Sequence, residues 1–439
     1  MKMKKKILIF IFVMSLGLSA ATAAQTVITV EKARELAIEH NRQFRTAQKE
    51  IDRARGEIIS ARAGALPKID VDGRYTRNIK VPEIFFDTVK IPIGLDNDFN
   101  FSVSMTQPLY SGGKVGSALK VAKIFEEYTE EKVEEVRADI FFGAEAYFYD
   151  AILADEHLKV LQSSYEQLTY NLQVVEKYFD QGMISEYELL RARVEKLNIE
   201  PQLIAAESFV NISRKRLKSF IGLSLDEKIQ LVTDYTDTVM TTMPPMDSLA
   251  AFALQNRPEI KQARLQKRGY DRAVRIAKGN WIWPNLDLNT TYQVSGASDD
   301  FSISGREVSK SWTASLLLHI PLFDGGRTIG EVRKAKTDYY QAMLAEQQAK
   351  DDIRLEVEQA YDNLFMAKRA LDVQKETISH AEEGMRIANL RYQSGVGTQL
   401  EVLSAQTALT DAKTNLARAI YDFRLAKSAL KKATSFELL

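Results

Sequence analysis

The side chains that could carry chemistry in this 439-residue chain are few, and their spacing suits none of the common reactions. The four histidines, His40, His157, His319 and His380, are scattered, and no two stand at a spacing that brings paired ligands onto one metal ion. There is no cysteine, which excludes disulfides, thiolate zinc sites, iron–sulfur clusters, cysteine nucleophiles and a lipidated cysteine at a mature N-terminus. No phosphate-binding loop or nucleophile elbow occurs. The glycine pairs Gly112-Gly113 and Gly325-Gly326 come nearest to a phosphate cradle, but a bare pair reads more simply as a joint where a strand passes into a helix. The chain therefore reads as a non-enzyme with no cofactor and no metal.

The charges point the same way. Lys+Arg and Asp+Glu both total 59, and four of the lysines fall in the first 24 residues, where there is no acid, so the remainder is slightly acidic. That excludes a bulk basic footprint for nucleic acid. Lys2, Lys4, Lys5 and Lys6 precede an apolar run from Ile7 to Ala20, and the small residues Ala21-Thr22-Ala23-Ala24 follow. This is the three-part layout of a secretory signal, with cleavage expected after Ala23 or Ala24. The run of about 14 residues is short against the roughly 20 that span a bilayer. No later stretch resembles a transmembrane helix, so any membrane crossing must use β-strands.

The elements that could position a site come in two copies. Segments about 213 to 217 residues apart match in order and spacing. Leu66-Pro67-Lys68-Ile69-Asp70-Val71 matches Trp283-Pro284-Asn285-Leu286-Asp287-Leu288. Gln107-Pro108-Leu109-Tyr110-Ser111-Gly112-Gly113 matches Ile320-Pro321-Leu322-Phe323-Asp324-Gly325-Gly326. Ala37 to Arg42 matches Ala253 to Arg257, and Phe179 to Leu190 matches Tyr392 to Leu403.

Each copy reads helix, strand, loop, strand, long helix, turn, helix. Ile69, Val71, Gly73 and Tyr75 alternate with Asp70, Asp72, Arg74 and Thr76, a strand with one apolar and one polar face. Phe99, Phe101, Val103 and Met105 alternate with Asn100, Ser102, Ser104 and Thr106, and the second copy repeats the pattern around Leu286, Leu288 and Tyr292 and around Trp312, Leu316 and Leu318. Strands of about 10 to 12 residues match a tilted membrane strand, although a soluble sandwich has the same period. Lys114 to Gln181 and Arg327 to Ser394 contain no proline, enough for helices of about 100 Å each. Leu158, Leu161, Tyr165, Leu168, Leu172 and Val175 step in the three-four rhythm of coiled coils, as do residues from Ile353 to Tyr392. Four amphipathic strands leave two unpaired edges, and single-chain membrane barrels start at about eight strands, so closure needs further copies. Three copies would close twelve.

The signal segment, the duplication, the Pro-Leu-aromatic-x-Gly-Gly joints at 108–113 and 321–326, and the turns beginning Gly182-Met183-Ile184-Ser185 and Gly395-Val396-Gly397-Thr398 together resemble the TolC family of outer membrane efflux proteins. The resemblance covers nearly all the mature chain. It implies a mainly α fold with a β-barrel portion: a homotrimer with four transmembrane strands per protomer, set in outer-membrane lipid, above a periplasmic tunnel of long antiparallel helices. It further implies a passive exit duct that docks to a periplasmic adaptor and an inner-membrane pump.

On that basis the divisions are a signal peptide, 1–24; repeat 1, 25–222; an equatorial segment, 223–246; and repeat 2, 247–439. Repeat 1 holds a helix 30–65, strands 68–79 and 99–109, a long helix 114–181 and a return helix 185–220. Repeat 2 holds a helix 247–280, strands 285–295 and 310–321, a long helix 327–394 and a return helix 398–433. The external loops are expected over Ile79 to Asp98 and Ser295 to Lys310.

Residue by residue, Gly182, Ser185, Gly395 and Thr398 match the tips that face the adaptor. Tyr392, Glu188 and Glu401 match the constricted entrance, and Pro108, Gly112, Gly113, Pro321, Gly325 and Gly326 match the barrel–tunnel joints. Two departures stand out: Gly397 occupies the place of a basic lock residue and Ser404 that of a second acid, so the latch either uses other partners, such as Arg391 or Arg191, or is weaker. Trp281, Trp283 and Trp312 stand where interfacial aromatics anchor strands. A channel of type I protein secretion is the narrower rival, and a soluble periplasmic coiled-coil adaptor the rival from another class; the paired amphipathic strands speak against the adaptor.

Overall fold

The structure, a computed structural model, describes residues 26–86, 89–233, 243–279, 283–301 and 308–436; the signal segment and Trp281 lie outside them. A short strand β1 (Thr26–Ile28) leads into helices α1 (Val30–His40) and α2 (Arg42–Ala63). Strand β2 (Lys68–Arg77), a hairpin of β3 (Glu83–Phe86) and β4 (Val89–Pro92), and β5 (Asn97–Ser111) follow. Helix α3 (Lys114–Asp180) and its return helix α4 (Glu186–Ile221) complete the first copy. After β6 (Ile229–Leu231) come α5 (Met246–Asn256), α6 (Pro258–Lys278), β7 (Asn285–Ser298), β8 (Ser309–His319), α7 (Arg327–Gln393) and α8 (Gln399–Thr434). The long helices are 67 residues each and the return helices 36 each, so the duplication holds to the residue in this part.

Several boundaries differ from the sequence reading. The single helix expected over 30–65 is two helices, because Asn41 leaves the helical region (φ −66°, ψ 127°) and caps the next helix, its side-chain oxygen accepting from the Gln43 and Phe44 backbones. The helix expected over 247–280 breaks at Arg257 (φ −58°, ψ 130°), since the proline at 258 disfavours a helical residue before it. In both cases the apolar periodicity resumes after one extended residue, so the pattern hides the break. The strand expected over 68–79 ends at Arg77, that over 99–109 runs from Asn97 to Ser111, that over 285–295 reaches Ser298, and that over 310–321 ends at His319. The loop expected over 79–98 contains the β3–β4 hairpin, and the segment 223–246 contributes β6, which pairs in parallel with β1.

The main sheet is antiparallel in the order β2-β5-β7-β8. Its register lines up Val71, Val103, Tyr292 and Trp312 in one row, and Asp72, Ser102, Gln293 and Ser311 in the next. Because side chains alternate along a strand, the first row belongs to an apolar face and the second to a polar one. Both outer strands are exposed along almost their whole length.

Below the sheet, α3 packs on α2 and α6 and, further along, on α4 and α8, while α7 packs on α5, α6 and α8. The largest apolar cluster gathers Phe148, Ile140, Leu217 and Ile221 with Ile28 and Ile229 of the small sheet. Its counterpart gathers Phe423, Leu364, Leu371 and Leu430 with Leu249 and Ile260. Full burial of side chains of this size contributes roughly 1.5–3 kcal/mol each, so these clusters fix the mid-height of the helical layer. Towards the turns the clusters shrink to Val175, Leu189 and Ala192 in one hairpin and Met385, Ala388 and Val402 in the other.

Candidate functional site

The two ends of the long helices carry the residues singled out in the sequence. At the upper ends, Gly112 and Gly113 (φ +62° and +74°) and Gly325 and Gly326 (φ +68° and +85°) turn the chain from strand to helix through two successive left-handed residues. That conformation favours glycine. At Gly112 space demands it as well, because a Cβ would lie 2.9 Å from the Trp283 Cβ and 3.1 Å from the Gly279 carbonyl oxygen. Pro108 lies within β5 just before a register shift, whereas Pro321 follows the end of β8. Asp324 caps α7, accepting from the Gly326 and Thr328 backbones at 3.0 and 2.9 Å and from the Thr328 hydroxyl at 2.5 Å.

At the lower ends, Gly182 (φ +70°) and Gly395 (φ +73°) close α3 and α7. Ser185 starts α4 with a capping box, its hydroxyl accepting from the Glu188 backbone while the Glu188 carboxylate accepts from the Ser185 backbone. Thr398 starts α8 by accepting from the Glu401 backbone at 3.3 Å.

The residues expected at an entrance divide into two groups. Tyr392 meets Tyr178 of α3 with ring centroids 6.0 Å apart. Its hydroxyl is buried and has no hydrogen-bond partner among the described residues. Burial, the Glu188 carboxylate and Tyr178 together hold its pKa above the usual phenol value. Glu401 belongs to the other group: its Oε2 lies 3.2 Å from Arg391 Nε, and Arg391 Nη2 also donates to the Val396 carbonyl oxygen at 3.4 Å. Both partners of this pair are about half exposed.

Gly397 now has a physical reason. Its N–H donates to the Arg391 carbonyl oxygen at 2.9 Å, and a Cβ there would sit 2.9 Å from both the Arg391 carbonyl carbon and the Tyr392 nitrogen. The turn wraps so closely on the end of α7 that no side chain fits, so a basic lock residue has no place at 397. Arg191 stands on α4, three residues beyond Glu188, and Ser404 is exposed on α8. One residue at the tip carried no signal in the sequence: Gln399 is only 2% exposed, and neither atom of its carboxamide has a hydrogen-bond partner among the described residues. Among the described residues no group of three His, Asp or Glu side chains could hold a metal ion, and no helix is long and apolar enough to cross a membrane.

The chain thus joins a sheet with one apolar and one polar face, exposed along both outer strands, to two 67-residue helices about 100 Å long. The model of the outer membrane efflux protein family matches residues 33–223 and 249–435, once on each repeat, and the chain belongs to that family. It is 20% identical to outer membrane protein TolC of Escherichia coli over 447 aligned residues, covering 98% of this chain and 86% of that protein. It is 22% identical to the cobalt-zinc-cadmium resistance protein CzcC of Cupriavidus metallidurans, covering 88% of this chain and 85% of the relative. The crystal structure of CusC shares the fold with a TM-score of 0.78 at 19% identity, over 92% of this chain and 91% of that one. The family is one of outer-membrane channels that serve as exit ducts for efflux or secretion, and this chain is an outer-membrane member of it.

Proposed function

We propose that three copies of this chain assemble into one passive conduit: a twelve-stranded barrel in outer-membrane lipid and a helical tunnel in the periplasm. The observation that carries this reading is the pair of sheet edges, β2 and β8, that have no strand partner among the described residues. Unpaired backbone groups in hydrocarbon cost several kcal/mol each, and four strands cannot close on themselves. Three sheets joined edge to edge place the apolar face against lipid and the polar face on the lumen.

The helices support assembly between copies. On α4, Tyr187, Leu190, Val194 and Leu197 are exposed at three-four spacing, and on α7 Met366, Val373 and Ile387 are exposed at multiples of seven. These stripes lie on the helices at opposite edges of the protomer, ready to pack between copies.

The tips at Gly182–Ser185 and Gly395–Thr398 then face a periplasmic adaptor and an inner-membrane pump, which supplies the energy. Tyr392, Glu188 and Glu401 line the narrowed entrance, with Arg391 rather than residue 397 supplying the basic partner. The test is native mass spectrometry of detergent-extracted protein followed by planar-bilayer conductance. Trimers that give discrete openings fit the duct; folded trimers that never insert overturn it in favour of a soluble adaptor.

A further inference from the structure

The long helices change the sign of their charge a few turns below the sheet, and they do so in both copies. On α3, Lys114 to Phe125 holds three lysines and no acid, whereas Glu126 to Asp139 holds seven acids against Lys132 and Arg137. On α7, Arg327 to Lys336 holds four cations and Glu331 as its one acid. On α6, which climbs back to the sheet, Leu265 to Lys278 holds five cations and Asp271 as its one acid. Because α3 and α7 run in step from Lys114 and Arg327, Lys120 and Lys123 answer to Arg333 and Lys336. Basic charge is thus gathered at one level of a chain whose remainder is acidic.

These cations share one side of the helical wall. Lys120, Glu127, Glu134 and Phe141 step by seven along α3, as do Lys123, Glu130 and Arg137, so each set forms one stripe. Lower on those stripes Glu134, Arg137 and Phe141 line a cavity together with Glu31, Arg34 and Glu35 of α1, so the lysines stand on the side of the wall that α1 covers. Arg268 of α6 reaches the same side, 3.1 Å from Glu127, and Arg275 and Lys278 continue its stripe. All seven side chains are exposed. Only Arg268 and Arg275 have an ion-pair partner among the described residues, Arg275 with Asp271 at 3.1 Å. In a conduit with a wall one helix thick, the side that carries α1 is the outside, because three copies of that second layer would fill the lumen.

The level matters as much as the side. At the joints Leu109, Trp283 and Leu322 are exposed, the lower rim of the apolar band that the sheet presents. At 1.5 Å per residue, Lys120 and Arg333 lie about 10 Å below the paired glycines and Lys123 and Lys336 about 15 Å below them. The headgroup region of one leaflet is roughly 5–8 Å deep. Lysine and arginine lay their stems along apolar surface and carry the charge to the boundary, and the field of an exposed charge extends about 10 Å at 0.1 M salt.

We propose that this collar binds the anionic headgroups of phospholipids in the leaflet on the tunnel side, giving the chain a lipid-binding surface separate from the apolar face of its sheet. The proposal rests on the duct reading above and adds the chemical class of the lipid and the residues that hold it. Unpaired, exposed cations directly beneath an apolar rim are complementary to phosphate and serve no ion pair within the fold.

The test uses detergent-extracted trimers of the full chain, equilibrated with mixed micelles holding equal phosphatidylglycerol and phosphatidylcholine and then freed of unbound lipid by gel filtration. The two lipids share their tails, so the ratio retained per trimer reads the headgroup alone. A collar variant carries Lys120→Gln, Lys123→Gln, Arg333→Gln and Lys336→Gln. A control variant loses four exposed cations below the collar, through Lys177→Gln, Lys215→Gln, Arg369→Gln and Lys375→Gln. A third, Arg275→Gln with Lys278→Gln, leaves both long helices untouched and tests the collar even where the first fails to fold. Native mass spectrometry and circular dichroism confirm that each is a folded trimer.

The native and control chains are expected to retain several-fold more phosphatidylglycerol than phosphatidylcholine. The collar variant should lose most of that preference and the α6 variant part of it. Native trimers without the preference, collar and α6 variants that keep it in full, or a control variant that loses it equally overturn the collar and leave the duct standing. A native chain that is folded but monomeric, or that never inserts into vesicles, overturns the duct reading itself.

Discussion

Asn41 and Arg257 hold the same place in the two copies and bind the same carbonyl. Asn41 Nδ2 donates to the Phe220 carbonyl oxygen at 3.4 Å, and Arg257 Nη1 donates to the Ala433 carbonyl oxygen at 2.9 Å. Phe220 and Ala433 are each the penultimate residue of a return helix, where carbonyls lack intrahelical partners. The residue that breaks the first helix pair of each copy therefore also ties down the end of the last helix. Arg257 adds a fork onto Glu259 at 2.8 and 2.6 Å and an ion pair with Glu356 at 3.0 Å.

The two ties should differ in strength. Arg257→Ala leaves the α8 carbonyls and the partly exposed Glu259 and Glu356 without their cation, a loss of about 1.5–3 kcal/mol for hydrogen bonds to a charged group. Asn41→Ala removes a helix cap and a weak tie, about 1 kcal/mol. Urea titrations followed by circular dichroism check the order; equal losses would refute it.

The helix ends also differ between copies. Gly222 closes α4 in the left-handed region (φ +78°), and its equivalent Ser435 closes α8 there (φ +53°). Ser435→Gly should stabilise by about 0.5–1 kcal/mol, the cost of left-handed backbone without glycine. Gly222→Ala should destabilise by more than about 1 kcal/mol, because its Cβ would clash with the His40 Cβ as well as adopting that backbone. Thermal melts of the two variants should move in opposite directions.

At the entrance, Glu401→Gln should barely change stability, since exposed ion pairs contribute about 0–1 kcal/mol. In the proposed trimer it should lower cation preference in planar-bilayer recordings, because three copies of Glu401 would form a ring of carboxylates at the proposed entrance. Gly397→Ala should have the opposite profile: it forces the turn away from Arg391 and loosens the tip, read as a larger resting conductance.

Acid should weaken the mid-height of the helices. Burial pushes Glu346 up, but Lys267 and Lys350 outweigh it, and burial likewise raises Glu259 while Arg257 outweighs it, so both carboxyls sit below their ordinary value of 4.5. A carboxyl with a depressed native pKa contributes stability above its unfolded value and loses it as pH falls through the native one. Melting temperature should therefore drop below about pH 4.5, and Glu346→Gln should flatten part of that drop. Tyr392 has the opposite sign: its raised pKa means that its contribution is intact below its ordinary value of 10.0 and fades above it, so Tyr392→Phe should blunt alkaline loosening of the tip.

Much of this architecture is local enough to read from the sequence. The alternation of Ile69, Val71 and Tyr75 with Asp70, Asp72 and Thr76 states which face of β2 is apolar, because the side-chain period of a strand is two. Proline and paired glycines mark the joints at 108–113 and 321–326, since those backbones admit little else. The heptads of α3 and α7 state a packed helical layer, and the matched offsets state the duplication.

What the sequence could not carry are relationships between residues far apart along the chain. Nothing near Thr26 indicates that β1 pairs with Ile229, and nothing near Arg257 indicates Ala433, because a lone polar residue looks the same whether it meets water or a distant carbonyl. The Arg391–Glu401 pair and the closed space around Gly397 likewise depend on how tightly one turn wraps on the end of α7. Local backbone preference and periodicity determined the elements, their faces and their repeat. Only the packed structure decided which polar groups lost water and which partners replaced it, since desolvation depends on neighbours that the order of residues does not name.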